Sequence, residues 1–388
     1  MLPNCLTTAM TSKNKNFVIA LGGSIAFPDD NINVSFLKRF SLFIKREIKK
    51  GKKFIIVPGG GGITRRYQKA AKKISQVKNE DKDWLGIHAT RLNAHFLRTI
   101  FKDYAEPVIL DERGKVVSFG SYSIIIASGW RPGWSTDYVA CQIALDFGIR
   151  EVINLSETGY VYTADIKKDP KARPIKKLFW DDYLKLIPSR WSPGLHSPVD
   201  PVAARLAKRQ GLRVITVSSN LDNLKRLLRG EAFRGTILAN PRIVVGGTFE
   251  VIHRGHRKLL KKAFDLGDVF IGLTSDKMAE DLKKRKVKRF EARKRALEAF
   301  VEKEFNKKAE IIKIEDRFGP AIGGDFDYIV VSPETEKTAL LINQKRKQLK
   351  RRPIKIVKIR FVLAEDGKPI SDTRILKGQI DREGKIIC

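Results

Sequence analysis

Residues 242–256 read Arg-Ile-Val-Val-Gly-Gly-Thr-Phe-Glu-Val-Ile-His-Arg-Gly-His, and this stretch decides the fold of the C-terminal third. The aliphatic run from Arg242 to Val245 predicts a buried strand. A glycine turn, Gly246 to Phe249, follows it, and a helix is expected to begin near Gly255. Strands that are buried on both faces are typical of parallel sheets, which crossover helices cover. The stretch therefore predicts an α/β domain.

Two of the five histidines in the chain, His253 and His256, lie on either side of Gly255. When an AMP group is transferred from ATP, negative charge grows on the α-phosphate oxygens while pyrophosphate leaves. Two imidazoles and a helix N-terminus supply hydrogen-bond donors to that charge, and a glycine lets the backbone come close. We therefore interpret His253 and His256 as catalytic residues of an adenylyl transfer.

Similar strand–glycine–helix patterns open the N-terminal half. Phe17 to Ala20 predicts a strand before Gly22-Gly23-Ser24, and Lys53 to Pro58 predicts a strand before Gly59 to Gly62. A third element, Pro132 to Asp137, ends in hydroxyls and a carboxylate at an expected helix start. Backbone N–H groups at such turns bind phosphate. Neither glycine turn fits the P-loop or the dinucleotide pattern, so those two types of nucleotide site are excluded.

The predicted elements divide the chain into two doubly wound α/β domains. The pattern restarts after Asn240, so the domains are expected at 17–240 and 241–388, behind a disordered leader at 1–16 that has no signal-peptide pattern. A helix is expected at 34–50, because Gly51 is a suitable C-terminal stop. Further strands are expected at 123–127, 151–155, 213–218, 269–273, 310–314, 328–331 and 355–362.

Cysteine content and hydropathy indicate a cytoplasmic protein. The chain has 3 cysteines, without metal-ligand spacing, so we expect neither a disulfide framework nor a metal site and assign no metal ligand. Its apolar runs are shorter than the roughly 20 residues that a membrane helix needs.

The net charge of +33 comes from 76 Lys and Arg against 43 Asp and Glu. A basic surface attracts polyanions, so a nucleic-acid-binding protein is one alternative. The basic residues occur along the whole chain rather than in one stripe, and no aromatic-interleaved recognition pattern accompanies them. We therefore do not expect specific nucleic-acid binding.

Taken together and in this order, the N-terminal elements resemble the amino-acid kinase superfamily, most closely the archaeal-type uridylate kinases. The resemblance covers about residues 17–238 and implies an amino-acid-kinase-like sandwich. The matching stretches are Leu21 to Ser24, Gly59 to Gly61 with Arg65 to Tyr67, Gly86 to Ala94, Pro132 to Asp137, Val161 to Asp165 and Asp200 to Ala204.

The resemblance implies a role for individual residues of this half. The transferred phosphoryl group would be met by Gly22, Gly23 and Ser24. The acceptor phosphate would lie at Gly60, Gly61 and Arg65, and the acceptor itself would face Arg91 and Asn93. The acceptor nucleotide, UMP by this resemblance, would lie near Thr136 and Asp137, and the ATP site would be flanked by Tyr162 and Asp165. Phosphoryl transfer needs mainly positioning and charge neutralisation, which such N–H cradles and Mg²⁺ supply.

Two departures from the kinase pattern leave an alternative open. Ala20 stands where the superfamily often has lysine, and Glu157-Thr158-Gly159 replaces the Asn-x-Asp that precedes the Val-Tyr segment. The domain is therefore either a working kinase or a regulatory or dimerising module, and a homo-oligomer through this domain is one expectation.

The C-terminal residues resemble the HxGH nucleotidyltransferase superfamily, and over about 242–386 the archaeal and eukaryotic type of phosphopantetheine adenylyltransferase. The resemblance rests on the glycine turn at 246–249 and the histidine pair at 253–256. It rests also on residues 271–276 and 330–335 and on a second signature at Ile370 to Ile375. The resemblance implies a Rossmann-like domain that converts ATP and 4′-phosphopantetheine to dephospho-coenzyme A and pyrophosphate. ATP would be accompanied by Mg²⁺.

The same resemblance implies the site residues of this domain. Arg374 would act with the two histidines in catalysis. ATP or phosphopantetheine would be bound by Gly246, Gly247, Thr248, Phe249, Gly255, Ser275, Ser332, Ser371 and Thr373. Asp372 departs from the usual serine, and its carboxylate repels triphosphate unless it points away or holds Mg²⁺; a helix N-cap is the alternative role. Glu250 replaces the family's aspartate.

Overall fold

The computed structural model describes residues 15–29, 31–166, 168–190 and 197–387. The chain divides after Asn240 into two compact units. Most of the predicted leader lies outside the described residues, and Asn16 is already the first residue of a strand. Among the described residues, none of the helices combines the length and apolar character that a bilayer crossing requires.

The first unit alternates strands and helices, as its sequence pattern predicts. Its strands are β1 (Asn16–Leu21), β2 (Lys53–Pro58), β3 (Ile124–Ile126), β4 (Glu151–Leu155), β5 (Val161–Tyr162), β6 (Pro174–Ile175), β7 (Lys177–Phe179), β8 (Arg213–Val217) and β9 (Thr236–Ala239). Its helices are α1 (Gly23–Ala26), α2 (Val34–Ile48), α3 (Gly61–Ile74), α4 (Asn79–Ile100), α5 (Thr136–Asp146), α6 (Trp180–Leu186), α7 (Pro201–Gln210) and α8 (Leu221–Leu228).

A seven-stranded sheet in the order β3-β2-β1-β4-β8-β9-β7 forms the centre of this unit. Every pairing in it is parallel except that of β8 with β9. Helices cover both faces, because the strands β1 and β2 are buried on both sides and need apolar partners on each. The carboxyl ends of β1, β2 and β4 therefore lie side by side, where ligands of doubly wound folds bind.

The second unit is smaller and has the same alternation. Its strands are β10 (Arg242–Gly247), β11 (Asp268–Thr274), β12 (Glu310–Ile314), β13 (Tyr328–Val331) and β14 (Lys355–Lys358). Its helices are α9 (Arg254–Leu266), α10 (Asp276–Lys283), α11 (Phe290–Phe305), α12 (Glu336–Gln348) and α13 (Asp372–Leu376), with a short 3₁₀ helix at Gly319–Ala321.

The five strands of this unit form a parallel sheet in the order β12-β11-β10-β13-β14. The strand that residues 242–256 predicted is thus the central one, and two core clusters fill the opposite faces of the sheet. The direction of winding changes at β10, so the crevice beyond its carboxyl end is the expected ligand position.

The predicted strands are confirmed, and the α/β class with them. The last strand was predicted too long, since β14 ends at Lys358 rather than at residue 362. No strand was predicted for β5, β6, β7 or β9, which have two to four residues each.

Candidate functional site

The two histidines of the second unit lie where β10 gives way to α9. His253 is the N-cap residue of α9, and its Nδ1 atom accepts a hydrogen bond of 3.1 Å from the Gly255 amide. A Cβ atom on Gly255 would lie 2.9 Å from Cε1 of His253, so a side chain there would displace the ring. Because Nδ1 is an acceptor, the neutral ring carries its proton on Nε2.

His256 is held in the opposite tautomer. Its Nδ1 atom lies 3.2 Å from the carbonyl oxygen of Val251, which can only accept, so Nδ1 carries the proton and Nε2 keeps its lone pair. The ring stacks on His253 at 4.0 Å between centroids and packs against Phe249 at 4.8 Å. Phe249 is buried and has a φ of 47°, a backbone conformation that residues other than glycine seldom adopt.

Burial makes both imidazoles poor bases. It lowers the pKa of His253 to about 3, an effect to which His256 adds and which Asp372 opposes. Burial also lowers the pKa of His256 to about 4, although the bond to Val251 acts in the other direction. Lys283 contributes to the lowering of both pKa values. In the free protein both rings are therefore neutral at neutral pH.

Asp372 lies directly beside this pair. Its side chain is 4% exposed, with Oδ1 3.5 Å from Nε2 of His253 and Oδ2 3.7 Å from Nζ of Lys283. Oδ1 has no hydrogen-bond partner among the described residues. Burial raises the pKa of Asp372, against the lowering effect of Lys283 and His253. The alternative of a helix N-cap is wrong, because Ser371 occupies that position and Asp372 is the first residue of α13.

Glu250, which stands where the family has aspartate, is buried, and both of its carboxylate oxygens accept hydrogen bonds. Its two oxygens accept hydrogen bonds of 3.2 and 2.7 Å from Arg285, and Oε1 also accepts one from the Lys288 amide. Burial alone would raise the pKa of Glu250, but these bonds hold it below its ordinary value. Glu250 therefore fixes the loop that follows α10 beside the histidine pair.

A buried arginine that the sequence analysis missed connects the loops of this site. The side chain of Arg293 is fully buried, and its guanidinium donates to the carbonyl of Thr248 at 3.1 Å and to Oγ1 of Thr274 at 3.2 Å. It also donates to Asp276 at 2.9 Å and to the carbonyl of Lys288 at 2.7 Å. Nothing marked it among the neighbouring basic residues, since it is one of many arginines on predicted helices.

The remaining predicted residues of this unit lie at the same edge of the sheet or on α13. Gly246 and Gly247 end β10, Ser275 caps α10 directly after β11, and Ser332 follows β13. Ser371, Thr373 and Arg374 belong to the α13 segment. Arg374 is bound to Asp366 and to the carbonyl of Pro369 at 3.2 Å. The structure thus brings the histidines and Asp372 together, and gives Arg374 protein partners.

In the first unit the two glycine turns touch each other. Gly23, after β1, packs so closely that a Cβ atom on it would lie 2.4 Å from the amide nitrogen of Gly61. Gly61, at the start of α3, has a φ of 63°. Gly60 is the N-cap residue of α3, and Ser24 is exposed on α1. Only glycines permit this approach, which leaves two helix N-termini beside one another.

The side chain of Asn93 holds the turn at Gly59 and Gly60 in place. Its side chain is 2% exposed, and its Nδ2 atom donates to the carbonyls of Gly59 at 2.9 Å and Gly60 at 3.2 Å. Arg65 pairs with Asp29, and Arg91 lies 3.9 Å from Asp111. Asn93 therefore positions the turn, and its predicted contact with the acceptor stays a prediction.

Two carboxylates meet at the start of α5. Thr136 is the first residue of this helix, and Asp137 accepts a hydrogen bond of 3.3 Å from the amide of Asp200. The carboxylate of Asp200 caps α7 and accepts from the hydroxyl of Ser135. Burial, together with the negative charge of Asp200, raises the pKa of Asp137 to about 7.

The predicted ATP-flanking residues lie after β4. Tyr162 belongs to β5, where its ring packs edge-on to that of Tyr160, and Asp165 is exposed beyond it. The substituted segment places Glu157 in solvent, and Gly159 adopts a φ of 69°.

Comparison with known proteins gives a family for each unit. The amino acid kinase family model matches residues 15–218, and the cytidylyltransferase-like model matches residues 244–378. A uridylate kinase of Methanocorpusculum labreanum is 34% identical over 230 residues, which is 58% of this chain and 96% of that protein.

The second unit has more similar relatives. A phosphopantetheine adenylyltransferase of Methanosarcina acetivorans is 49% identical over 151 residues, 38% of this chain and 96% of that protein. A bifunctional phosphopantetheine adenylyltransferase/NTP phosphatase of Thermoplasma volcanium is 44% identical over 37% of this chain and 44% of its own length. The chain therefore belongs to the amino acid kinase family through its first unit and to the phosphopantetheine adenylyltransferases through its second.

Proposed function

We propose that the second unit transfers AMP from ATP to 4′-phosphopantetheine, giving dephospho-coenzyme A and pyrophosphate. The observation that carries this proposal is the stacked pair of His253 and His256, each with a defined tautomer, at the N-terminus of a 13-residue helix. The similarity to named adenylyltransferases over nearly their whole length supports the choice of acceptor.

In the proposed reaction the α-phosphate lies against both rings. His253 then offers its Nε2 proton to a phosphate oxygen, and the N-terminus of α9 adds its positive potential. A negative charge beside the rings favours their protonated forms, so binding raises both pKa values from the low values of the free protein. His256 thereby becomes a second donor as charge develops in the transition state.

Other residues of the edge would hold the rest of the substrates. The hydroxyls of Ser275, Ser332, Ser371 and Thr373 are assigned to phosphates or to phosphopantetheine. The guanidinium of Arg374 would donate hydrogen bonds to the β- and γ-phosphates. To do so, it must break its ion pair with Asp366.

Mg²⁺ would enter with ATP and neutralise charge on the triphosphate. Its preferred ligands are oxygens. The residues present fit it, because Oδ1 of Asp372 has no partner among the described residues, whereas Glu250 is occupied by Arg285.

We propose further that the first unit phosphorylates a nucleoside monophosphate, UMP by its resemblance. The contact of the turns at Gly23 and Gly61 supports this, because it brings two helix starts side by side, and backbone N–H groups at helix starts bind phosphates. An in-line transfer needs the donor and acceptor phosphates in such proximity. In this proposal Mg²⁺ would neutralise the phosphates.

The test is one activity panel on the full chain with ATP and Mg²⁺. We expect pyrophosphate only when 4′-phosphopantetheine is offered, and ADP when UMP is offered. Pantetheine without its phosphate serves as the matched control for the first reaction, and each other nucleoside monophosphate for the second. Pyrophosphate release without phosphopantetheine, or none with it, contradicts the proposal for the second unit.

The departure at Glu157-Thr158-Gly159 favours the regulatory alternative for the first unit, and a variant decides between the two. Replacing this segment by Asn-Val-Asp should raise the rate of ADP formation if the unit is a kinase slowed by the substitution. Circular dichroism must show that the variant is folded, because a Cβ atom at position 159 would lie 2.7 Å from the amide nitrogen of Ser218. If neither version phosphorylates any monophosphate, the unit is regulatory or dimerising.

A further inference from the structure

The histidine pair and Asp372 form a set of ligand atoms that the proposed adenylyl transfer does not use as a set. One ligand atom from each of His253, His256 and Asp372 lies within 4.8 Å of the other two. Two atoms that share a tetrahedral metal ion at about 2.1 Å are roughly 3.4 Å apart. A shift of about 1.5 Å or less would therefore bring all three onto one ion.

Asp372 adds to the histidine pair a buried carboxylate oxygen without a hydrogen bond from the described residues. Its side chain is 4% exposed, yet Oδ1 has no hydrogen-bond partner among the described residues and lies on the side of His253. The nearby donor, the Nε2–H of His253, lies 3.5 Å away and makes no hydrogen bond with it. A buried carboxylate oxygen in this state costs free energy unless a positive group binds it. Lys283 neutralises the other oxygen at 3.7 Å and leaves Oδ1 to face the imidazoles.

His256 already has the orientation of a metal ligand. A ligating histidine typically donates its second ring N–H to a backbone carbonyl or a carboxylate, which fixes the ring and directs the lone pair at the metal. His256 does this through Nδ1 and the carbonyl of Val251. Its Nε2 atom is then the one with a free lone pair.

His253 binds an ion only by changing tautomer. Its Nδ1 atom accepts from the Gly255 amide, so Nε2 carries the proton in the free protein. Ligation through Nε2 moves this proton to Nδ1, with no net proton released. The ring must then turn away from the Gly255 amide, because two N–H donors would otherwise face each other across 3.1 Å. One helix-cap hydrogen bond is thus exchanged for one metal–nitrogen bond.

We propose that His253, His256 and Asp372 bind a divalent transition-metal ion of the zinc type when ATP is absent. Two imidazole nitrogens and one carboxylate oxygen suit zinc or cobalt, whereas Mg²⁺ prefers oxygen ligands alone. The ion lies where the α-phosphate lies in the proposed function, so ion and nucleotide exclude each other. The mutual exclusion of ion and nucleotide rests on the proposed function, whereas the binding of the ion does not.

The test measures Co²⁺ binding by the full chain without any substrate, from visible absorption and from calorimetry. The variants are Asp372→Asn, which keeps the shape but loses the charge, and Asp265→Asn as a control, the same change at an exposed position on α9. Mg²⁺ replaces Co²⁺ in a parallel titration. Circular dichroism checks that each variant is folded.

We expect wild type and Asp265→Asn to bind one more Co²⁺ per chain than Asp372→Asn, or to bind it roughly 10- to 100-fold more tightly. Mg²⁺ should bind equally weakly to all three proteins. Equal Co²⁺ binding by wild type and a folded Asp372→Asn overturns the proposal. If Asp372→Asn does not fold, Asp372→Ser, the family's usual residue, is measured in the same way.

A second measurement tests the exclusion. With free Co²⁺ held constant by a metal buffer and Mg²⁺ in excess, Co²⁺ should inhibit pyrophosphate formation, and more ATP should relieve the inhibition. Asp372→Ser should be resistant. If Co²⁺ binds but does not inhibit, the ion does not share the position of the α-phosphate, although the metal site stands. If the protein forms no pyrophosphate even without Co²⁺, the proposed function is wrong, and the metal site is unaffected.

Discussion

The amide of Gly255 donates a hydrogen bond to Nδ1 of His253 across 3.1 Å. This contact orients the first imidazole of the site and fixes its proton on Nε2, the atom that the proposed reaction uses. It also explains the glycine, because a Cβ atom at Gly255 would lie 2.9 Å from Cε1 of the same ring.

Gly255→Ala should therefore lower the rate of pyrophosphate formation by about 10- to 100-fold, since a displacement of about 1 Å in a catalytic group has that effect. The control is Gly323→Ala in the same unit, where a Cβ atom would meet no atom of the described residues within 4 Å. Steady-state rates at saturating ATP check both variants. An active Gly255→Ala protein would show that the orientation of His253 is unimportant.

Arg293→Lys should destabilise the second unit and weaken ATP binding. Lysine keeps the charge but cannot donate to Thr248, Thr274 and Asp276 together. The carbonyl of Thr248 and the buried hydroxyl of Thr274 then lose their donor, at about 1–3 kcal/mol each. We expect a higher KM for ATP with a smaller change in kcat, because Arg293 acts through the loops. Arg295→Lys, on the exposed side of α11, is the control, and a stable variant with an unchanged KM contradicts this role.

Asn93→Ala should destabilise the first unit by about 1–3 kcal/mol, because the carbonyls of Gly59 and Gly60 lose their shared donor. All five tryptophans lie at or before residue 191, so tryptophan fluorescence during urea unfolding reports on this unit. Asn79→Ala, at an exposed position of the same helix, should change little. Equal stabilities of the two variants would show that Asn93 does not hold the turn.

Asp137→Asn should change how the stability of the first unit depends on pH. The folded protein keeps a proton on Asp137 up to its pKa of about 7, whereas an unfolded aspartate releases it near 3.8. The folded state therefore binds more protons between these values, and its stability falls as pH rises through this window. The asparagine variant lacks this loss, so relative to wild type it should gain up to about 4 kcal/mol between pH 4 and pH 8.

Tryptophan fluorescence in urea measures this difference at both pH values. A constant difference between Asp137→Asn and wild type would mean that Asp137 titrates normally. Asp146→Asn on the same helix is the control, because the hydrogen-bond partners of Asp146 are the donors Arg113 and Gln142 rather than a second carboxylate.

The sequence predicted the parts of the molecule that depend on local order. The strands β1, β2 and β10, their glycine turns and the histidine pair follow from hydrophobic period and spacing, and the structure confirms their positions. Both families were also recognised from such stretches, and the comparisons confirm them.

The sequence could not predict contacts between distant residues. Asp372 was expected to affect the triphosphate, but its approach to His253 depends on how α13 returns to the end of β10. The pairing of Glu250 with Arg285 depends in the same way on the loop after α10. The signal available was that Asp372 puts an acidic residue where the family has serine, in a chain rich in basic residues.

The central claim is that His253 and His256 stabilise charge on the α-phosphate, and the most direct measurement is steady-state pyrophosphate release with saturating ATP and 4′-phosphopantetheine. His256→Ala and His253→Ala should each lower kcat by roughly two to three orders of magnitude, with a smaller effect on KM, because the donors matter most in the transition state. Circular dichroism should show that both variants stay folded. A loss of less than about threefold in both variants, against the 10²–10³ expected of a lost donor, would contradict the account.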